Sequence, residues 1–352
     1  MTTVYVKEQG ARVARRGERL VVKSREGSVL EEFPLTQVQQ VVVMGNVQMT
    51  TQIMATLAER EIDVVFLSSY GKYRFRTEGE GSKHVALRQR QLRVMSDGRL
   101  ALPVAQTIVD AKINNQRVIL QRQASRITSS GQQNRGATVW PRDRSLFDRA
   151  LDGMIQMQRA SGGAGDLNAL RGYEGKAAVY YFAAIRSLLD QSWGFERREY
   201  HPPPDPFNAL LSFAYSLLLK DVRAAVQTVG LDLYLGFFHE VNQGRPSLAL
   251  DLMEEWRPLI ADALVLELVN RGALLPDDFV RTGQKQLPVK LSEAGVERVL
   301  QAYGSRLSGR LYHPLAGPGG ETTLQQAVVL QARRMARLIT GQETTYEPIR
   351  AK

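Results

Sequence analysis

A chain of 352 residues with 46 Lys and Arg against 36 Asp and Glu carries a formal charge of +10, which favours a polyanionic partner without choosing between nucleic acid and an anionic membrane. It has no cysteine, so disulfides, thiolate zinc sites and a cysteine nucleophile are excluded, and the composition suits a reducing cytoplasm. No run approaches the ~18 apolar residues of a spanning helix and the N-terminus lacks the apolar core of a signal peptide, so we expect a soluble, cytoplasmic protein without a membrane role.

At this length two domains are expected. Residues 1–80 read as a small β domain: residues 3–6, 12–14, 19–23, 28–33 and 38–44 are short alternating or β-branched runs parted by Gly10, Gly17 and Gly27. Thr50 or Thr51 caps a helix over 52–61, residues 62–67 form a buried strand, and 73–76 alternate. The basic clusters at Arg15-Arg16 and Arg74-Phe75-Arg76 read first as solvated strand faces and second as phosphate contacts.

Glu78-Gly79-Glu80-Gly81-Ser82 reads as a linker, and residues 81–352 turn helical. Residues 85–95 form a basic amphipathic helix. Residues 102–129 carry a stripe of Lys112, Arg117, Arg122 and Arg126, which suits a charged outer face as well as phosphate binding. Residues 130–144 are a polar loop, and 145–159 a helix. Asp166 caps a long helix in which Glu174 lies between Gly172 and Gly175. Each glycine costs such a helix about 1 kcal/mol relative to alanine, so two beside one acid imply that a ligand or a second helix approaches closely. Ala177, Ala178, Val179, Tyr181 and Phe182 mark this helix as buried.

The stretch 235–258, LGFFHEVNQGRPSLALDLMEEWRP, concentrates the chemistry. Ser247 is the expected N-cap of a helix buried through Leu248, Leu250, Leu252, Met253 and Trp256. Asp251 and Glu254 share a helical face, while Glu255 points about 100° from Glu254. Ionised carboxylates so placed need a cation, a base or a metal. The Gly244-Arg245-Pro246 turn can fold His239 back onto them, giving donors suited to manganese or magnesium, although a hydrogen-bonded structural histidine is the plainer alternative. Glu174 adds a second buried acid, and a shared metal site would neutralise the set. Further on, residues 280–291 suggest a hairpin and Ser292 caps a helix through 302. Thr322 or Thr323 caps another ending near Gly341, with Arg333, Arg334 and Arg337 as candidate DNA contacts. His201 and His313 precede prolines and read as loop residues, not ligands.

The segments RGYEGKAAVYYF, LGFFHEVNQGRPSLALDLMEEWRP, KINNQ around Lys112 and QQAVVLQARRMARLITG resemble the CRISPR-associated Cas1 family, the metal-dependent endonuclease and integrase of spacer acquisition, over nearly the whole chain. The resemblance implies an α+β fold. A small N-terminal β domain (1–80), used for dimerisation and DNA contact, is followed by a larger all-α catalytic domain (81–352). It implies Glu174, His239 and Glu254 as the catalytic ligands of Mn2+ or Mg2+. Asp251 stands where some members have the first of two aspartates, which makes it a residue supporting the ligands or a transient ligand itself. Glu255 becomes the partner of a neighbouring base, and Arg245 and Arg257 fall where relatives place basic residues near DNA. The implied reaction is insertion of prespacer DNA into the repeat array by a 3′-hydroxyl transesterification, with water in that role giving endonuclease cutting. The implied partners are duplex DNA (prespacer and CRISPR repeat), a second copy of the chain and the Cas2 protein. Two other readings stay open. One is a metal-dependent nuclease for branched DNA in repair; the other is a non-catalytic helical DNA-binding module in which Glu174, His239 and Glu254 satisfy one another.

Overall fold

The computed structural model describes residues 2–69, 71, 73–77, 84–129, 143–200, 202–317 and 319–352; the expected linker at 78–82, most of the expected loop at 130–144, His201 and the Arg126 side chain lie outside the described set. The chain divides into two units, Met1–Lys83 and His84–Lys352.

In the first unit the glycines do the punctuation. Gly10, Gly17 and Gly27 all take positive φ, at +83°, +57° and +92°, which only glycine adopts without strain. They part β1 (Thr2–Val6), β2 (Arg12–Arg16), β3 (Arg19–Lys23) and β4 (Val29–Pro34), and the chain continues through β5 (Val38–Met44), β6 (Gln48–Met49), α1 (Thr51–Glu59), β7 (Asp63–Leu67) and β8 (Tyr73–Thr77). Two four-stranded sheets result, ordered β1-β5-β7-β8 and β4-β3-β2-β6. Arg16 pairs with Arg19, so Gly17 and Glu18 make a two-residue hairpin turn. Thr50 caps α1 by accepting from the Ile53 N–H. Alternate residues Val4, Val6, Val41 and Val43, with Val13, Leu20, Ile53 and Leu57, form the core. Within the basic clusters Arg15 pairs with Glu18, Arg16 with Glu32 and Arg76 with Asp63, while Arg74 is exposed.

The second unit holds α2 (Val85–Ser96), α3 (Gly98–Ser129), α4 (Arg144–Gly162), α5 (Leu167–Ser187), α6 (Pro206–Val229), α7 (Ser247–Met253), a π-helical stretch (Arg257–Asp262) and α8 (Ala263–Asn270). Then come β9 (Phe279–Gln284), β10 (Leu287–Leu291), α9 (Glu293–Leu307), β11 (Arg310–Tyr312), β12 (Glu321–Thr323) and α10 (Leu324–Ile339). It is mostly helical, not all-α: β9 with β10 and β11 with β12 form two antiparallel ribbons, the first at the expected hairpin. Asp143, Asp166, Asp205, Ser292 and Thr323 each cap a helix, their side chains accepting a backbone N–H three residues on. Around α6 the buried residues Phe207, Leu210, Leu211, Phe213, Leu217 and Leu218 face several directions, which fits a helix surrounded by others. The helix α4 packs along α5, and α3 packs against both.

Candidate active site

On α5 Glu174 falls one turn from Leu170 and Ala177, so it lies on the face that packs into the unit. The glycines beside it do not receive a close neighbour, contrary to expectation: a Cβ at Gly172 or Gly175 would meet nothing within 4 Å. Both turn away from the packed face. Three residues before Glu174, Arg171 donates from Nε and Nη2 to the Phe238 carbonyl at 3.1 and 2.8 Å. That bond ties the loop carrying His239 to the helix carrying Glu174.

The loop itself is organised by Asp251, which is fully buried. Its Oδ2 accepts from the backbone N–H of Phe237 (2.5 Å) and Phe238 (3.0 Å), and its Oδ1 from the His239 N–H (2.9 Å) and the His239 ring Nδ1 (2.7 Å). A carboxylate there accepts only, so Nδ1 carries the ring proton and Nε2 keeps its lone pair. With both oxygens engaged in these bonds, Asp251 orients the imidazole, as expected of a residue supporting His239. Gly236 makes the fold of this loop possible, because a Cβ there would stand 2.6 Å from Asp251 Oδ2 and 2.7 Å from the Ser247 carbonyl carbon. Ser247 is not the cap: it is the first residue of α7, and its hydroxyl donates back to the Glu240 carbonyl at 2.7 Å, closing the loop.

Glu254 follows the last turn of α7, 2% exposed. His239 Nε2 stands 3.6 Å from its Oε1 and Arg257 Nη2 3.5 Å from the same oxygen. Its Oε2 makes no hydrogen bond of good geometry but has the Lys112 ammonium at 2.6 Å. Lys112 also pairs with Glu174. Burial alone would raise the Glu254 pKa, yet the charges of Arg257 and Lys112 outweigh it and hold the carboxyl down at about 2. Burial likewise opposes the Lys112 charge, and Glu174 and Glu254 reverse that, raising its pKa. The stripe expected along α3 is therefore an outer face only in part, with Arg122 exposed and Arg117 half-buried. Lys112 is buried, Arg117 donates to Gln158 at 2.8 Å, and Arg122 to the Lys352 carbonyl at 2.7 Å.

Arg257 is mostly buried, with its guanidinium over the Tyr215 ring at 5.0 Å, so it faces an acid and an aromatic instead of standing free at a surface. Beneath it Asp262 accepts from Tyr215 (2.6 Å) and Tyr181 (2.7 Å); burial outweighs these bonds and pushes its pKa up to about 6. Arg245 sits half-buried in the turn before α7, its N–H donating to the Asn242 carbonyl. Glu255 departs the other way, as its angle implies, but its partners are not a base. Tyr346 (2.6 Å), the Ile349 N–H (2.5 Å) and Gln331 (3.0 Å) donate to it, and burial raises its pKa to about 7. On α10, Arg334 and Arg337 pair with Glu343, which leaves Arg333 as the exposed arginine of the expected three. His313 is a loop residue, buried and bonded to Gln331.

Glu174, His239 and Glu254 are thus brought to one place, with Asp251 behind the histidine. Among the described residues, no three His, Asp or Glu side chains yet converge on a single point as coordinating groups. The group at the centre is Lys112, which the sequence alone marks only as part of the KINNQ segment and of the basic stripe on α3.

The model of the family described as CRISPR associated protein Cas1 matches residues 4–305. The chain belongs to the Cas1 family. It is 35% identical over 346 residues to the CRISPR-associated endonuclease Cas1 3 of Thermus thermophilus, covering 98% of this chain and 96% of that one. Two solved structures share the Cas1 fold seen here. A casposase bound to integration product has a TM-score of 0.83 at 19% identity, covering 100% of this chain and 95% of that one. A Cas6-RT-Cas1–Cas2 complex gives 0.80 at 23% identity, covering 100% of this chain and 36% of the larger one. Among the described residues no helix is long and apolar enough to cross a membrane.

Proposed function

We propose that this Cas1 is a metal-dependent DNA endonuclease and integrase of CRISPR adaptation, with Glu174, His239 and Glu254 holding Mn2+ or Mg2+. The observation that carries the proposal is the pair His239 and Glu254. Asp251 accepts a hydrogen bond from the protonated Nδ1, so Nε2 offers its lone pair toward a carboxylate that stays ionised although buried. Imidazole nitrogen and carboxylate oxygen suit these ions. The Glu254 oxygen without a hydrogen bond supports the fit, as does the cation drawn between Glu174 and Glu254, because the site already stabilises positive charge at that point. When bound, the ion supplies Lewis acidity, which favours deprotonation of a DNA 3′ hydroxyl and offsets charge on the transferring phosphate.

The chain's own residues do the rest. Asp251 fixes the ring of His239, Arg171 anchors its loop, and Arg257 steadies Glu254 from above the Tyr215 ring. In the proposed reaction the prespacer 3′ oxygen bonds to a repeat phosphorus, and the bond from that phosphorus to the neighbouring repeat 3′ oxygen breaks, the leaving oxygen taking up a proton. Water as the attacking group gives a cut. The +10 charge supports duplex DNA as substrate, and we propose that two copies act together with Cas2 in the cytoplasm, the N-terminal unit serving dimerisation and DNA contact. The Lys112 pairing favours the competing non-catalytic reading, since it satisfies both glutamates without an ion.

A strand-transfer assay with a prespacer and a repeat-bearing duplex, titrated with Mn2+, separates these readings. Joined product that disappears in Glu174→Ala, His239→Ala and Glu254→Ala, each with an unchanged circular dichroism spectrum, is the expected result. Cut product alone would point to a repair nuclease, and DNA binding with no Mn2+-dependent product to the non-catalytic module. Full activity in any two of the three variants would defeat the shared site.

A further inference from the structure

We infer that Lys112 is a displaceable internal cation that holds Glu174 and Glu254 together, and that a divalent ion entering the site must push it aside, so that this lysine sets the metal affinity. The inference rests on the reading of Glu174, His239 and Glu254 as ligands, and it concerns a residue outside that set.

The geometry is specific. The ammonium pairs with Glu174 and stands 2.6 Å from Glu254 Oε2, so it occupies the space between the two carboxylates that any ion shared by them would need. Its side chain is 8% exposed, and the carboxylates around it stabilise its charge. Like-charge repulsion makes the competition direct. A dication held by Glu174 and Glu254 while the Lys112 ammonium stayed between them would stand against a second positive charge at a site largely closed to solvent, which burial penalises.

One cation is free to leave and the other is not. Arg257 is clamped between Glu254 and the Tyr215 ring. Lys112 sits on a long flexible stem. Its helix, by contrast, is fixed: three residues on, Asn115 donates to the Glu255 and Ile349 carbonyls, each at 2.9 Å, and accepts from the Ala351 N–H at 2.7 Å. The backbone beside Glu254 therefore stays in place while the ammonium withdraws. A lysine here keeps two buried acids compatible with folding before an ion arrives, at the cost of weaker binding once it does. It acts through Glu174 and Glu254, as a positioning residue.

The test measures Mn2+ binding to the full chain by isothermal titration calorimetry, and thermal unfolding with and without Mn2+. The proteins compared are the wild type, Lys112→Met, Lys112→Arg and Glu254→Gln. Lys112→Met removes the competing charge while keeping the stem. It is expected to bind Mn2+ at least roughly tenfold more tightly, a modest share of the repulsion between an ammonium and a dication about 4 Å apart. It is also expected to melt at a lower temperature in metal-free buffer and to recover when Mn2+ is added. Lys112→Arg retains a cation and is expected to bind no more tightly than the wild type. A purely structural lysine could not tighten binding when removed. Should Lys112→Met fail to fold without metal, Mn2+ in the refolding buffer is expected to restore it. Unchanged or weaker Mn2+ binding by Lys112→Met, or failure of Mn2+ to restore it, overturns the role given to Lys112 and leaves the ligand reading standing. Absence of Mn2+ binding by every protein, or binding indifferent to Glu254→Gln, overturns the ligand reading and this inference with it.

Discussion

Replacing Asp251 with asparagine changes one atom and removes two hydrogen bonds if the new amide turns its NH2 toward Phe237 and Phe238, or one if it faces the His239 ring and the ring changes tautomer. The carboxylate accepts two N–H groups on each oxygen: Phe237 and Phe238 on Oδ2, the His239 backbone and ring Nδ1 on Oδ1. Asparagine offers one oxygen, so its NH2 must face one of these pairs. Hydrogen bonds to a charged acceptor are worth about 1.5–3 kcal/mol each, hence a loss of roughly 1.5–6 kcal/mol for one or two of them, and the site is too deeply buried for water to make up the difference. Set against a total stability of about 5–15 kcal/mol, that is a severe defect. If the NH2 faces the ring, the imidazole proton moves to Nε2, and the lone pair directed at Glu254 is lost as well. Urea unfolding measures the first effect and nitrogen NMR of the His239 ring the second. The expected result is a loss of stability in the range above, with the Nε2-protonated ring in whatever fraction turns the amide that way. A variant within ~0.5 kcal/mol of the wild type that kept its proton on Nδ1 would refute the role given to Asp251.

Two further outcomes follow from neighbouring geometry. Gly236→Ala forces a Cβ to 2.6 Å from Asp251 Oδ2, so it should cost about 1–3 kcal/mol in urea unfolding and weaken Mn2+ binding through the displaced His239 loop. Asp262 has a folded pKa raised from 3.8 to about 6, so the stability it contributes is complete below pH 3.8 and is lost as pH rises through 6. About two units correspond to roughly 3 kcal/mol, and the difference in unfolding free energy between wild type and Asp262→Asn should therefore shift by that order in favour of the variant between pH 3.5 and 7. A difference that stays flat with pH would show that Asp262 titrates normally.

How much of this was legible in the sequence depends on whether the signal was local. Strand β5 was predicted at its observed limits because a β-branched run needs only itself and its turns to be recognised. The N-caps at Asp166, Ser292 and Thr323 were legible for the same reason, since the acceptor and the N–H it satisfies lie three residues apart. Ser247 has the same local appearance and behaves differently, because the Glu240 carbonyl, brought back by the loop, claims its hydroxyl. The glycines around Glu174 misled in a related way: their cost to the helix was read as a sign of close packing, but they lie on its open side.

The site was legible where buried acids stood among leucines, and incompletely so where their counterions were concerned. The angular argument sent Glu255 away from Glu254 correctly, yet its partners come from residues 331, 346 and 349, 76 to 94 positions on, and nothing local announces them. Lys112 is the more instructive failure. A lysine at helical spacing with three arginines reads as part of a solvated stripe, since lysine is seldom buried unless paired. Its flanking residues argue otherwise: Ala111 and Ile113 are both fully buried, and Glu174 and Glu254 are the acids that pair with it. Two ionised carboxylates on packed helices need positive charge during folding, when no particular ion is guaranteed, and a covalently attached ammonium is present from the start. The need for a cation was therefore correctly inferred, but a metal answers only the part of it that arises after the fold has formed.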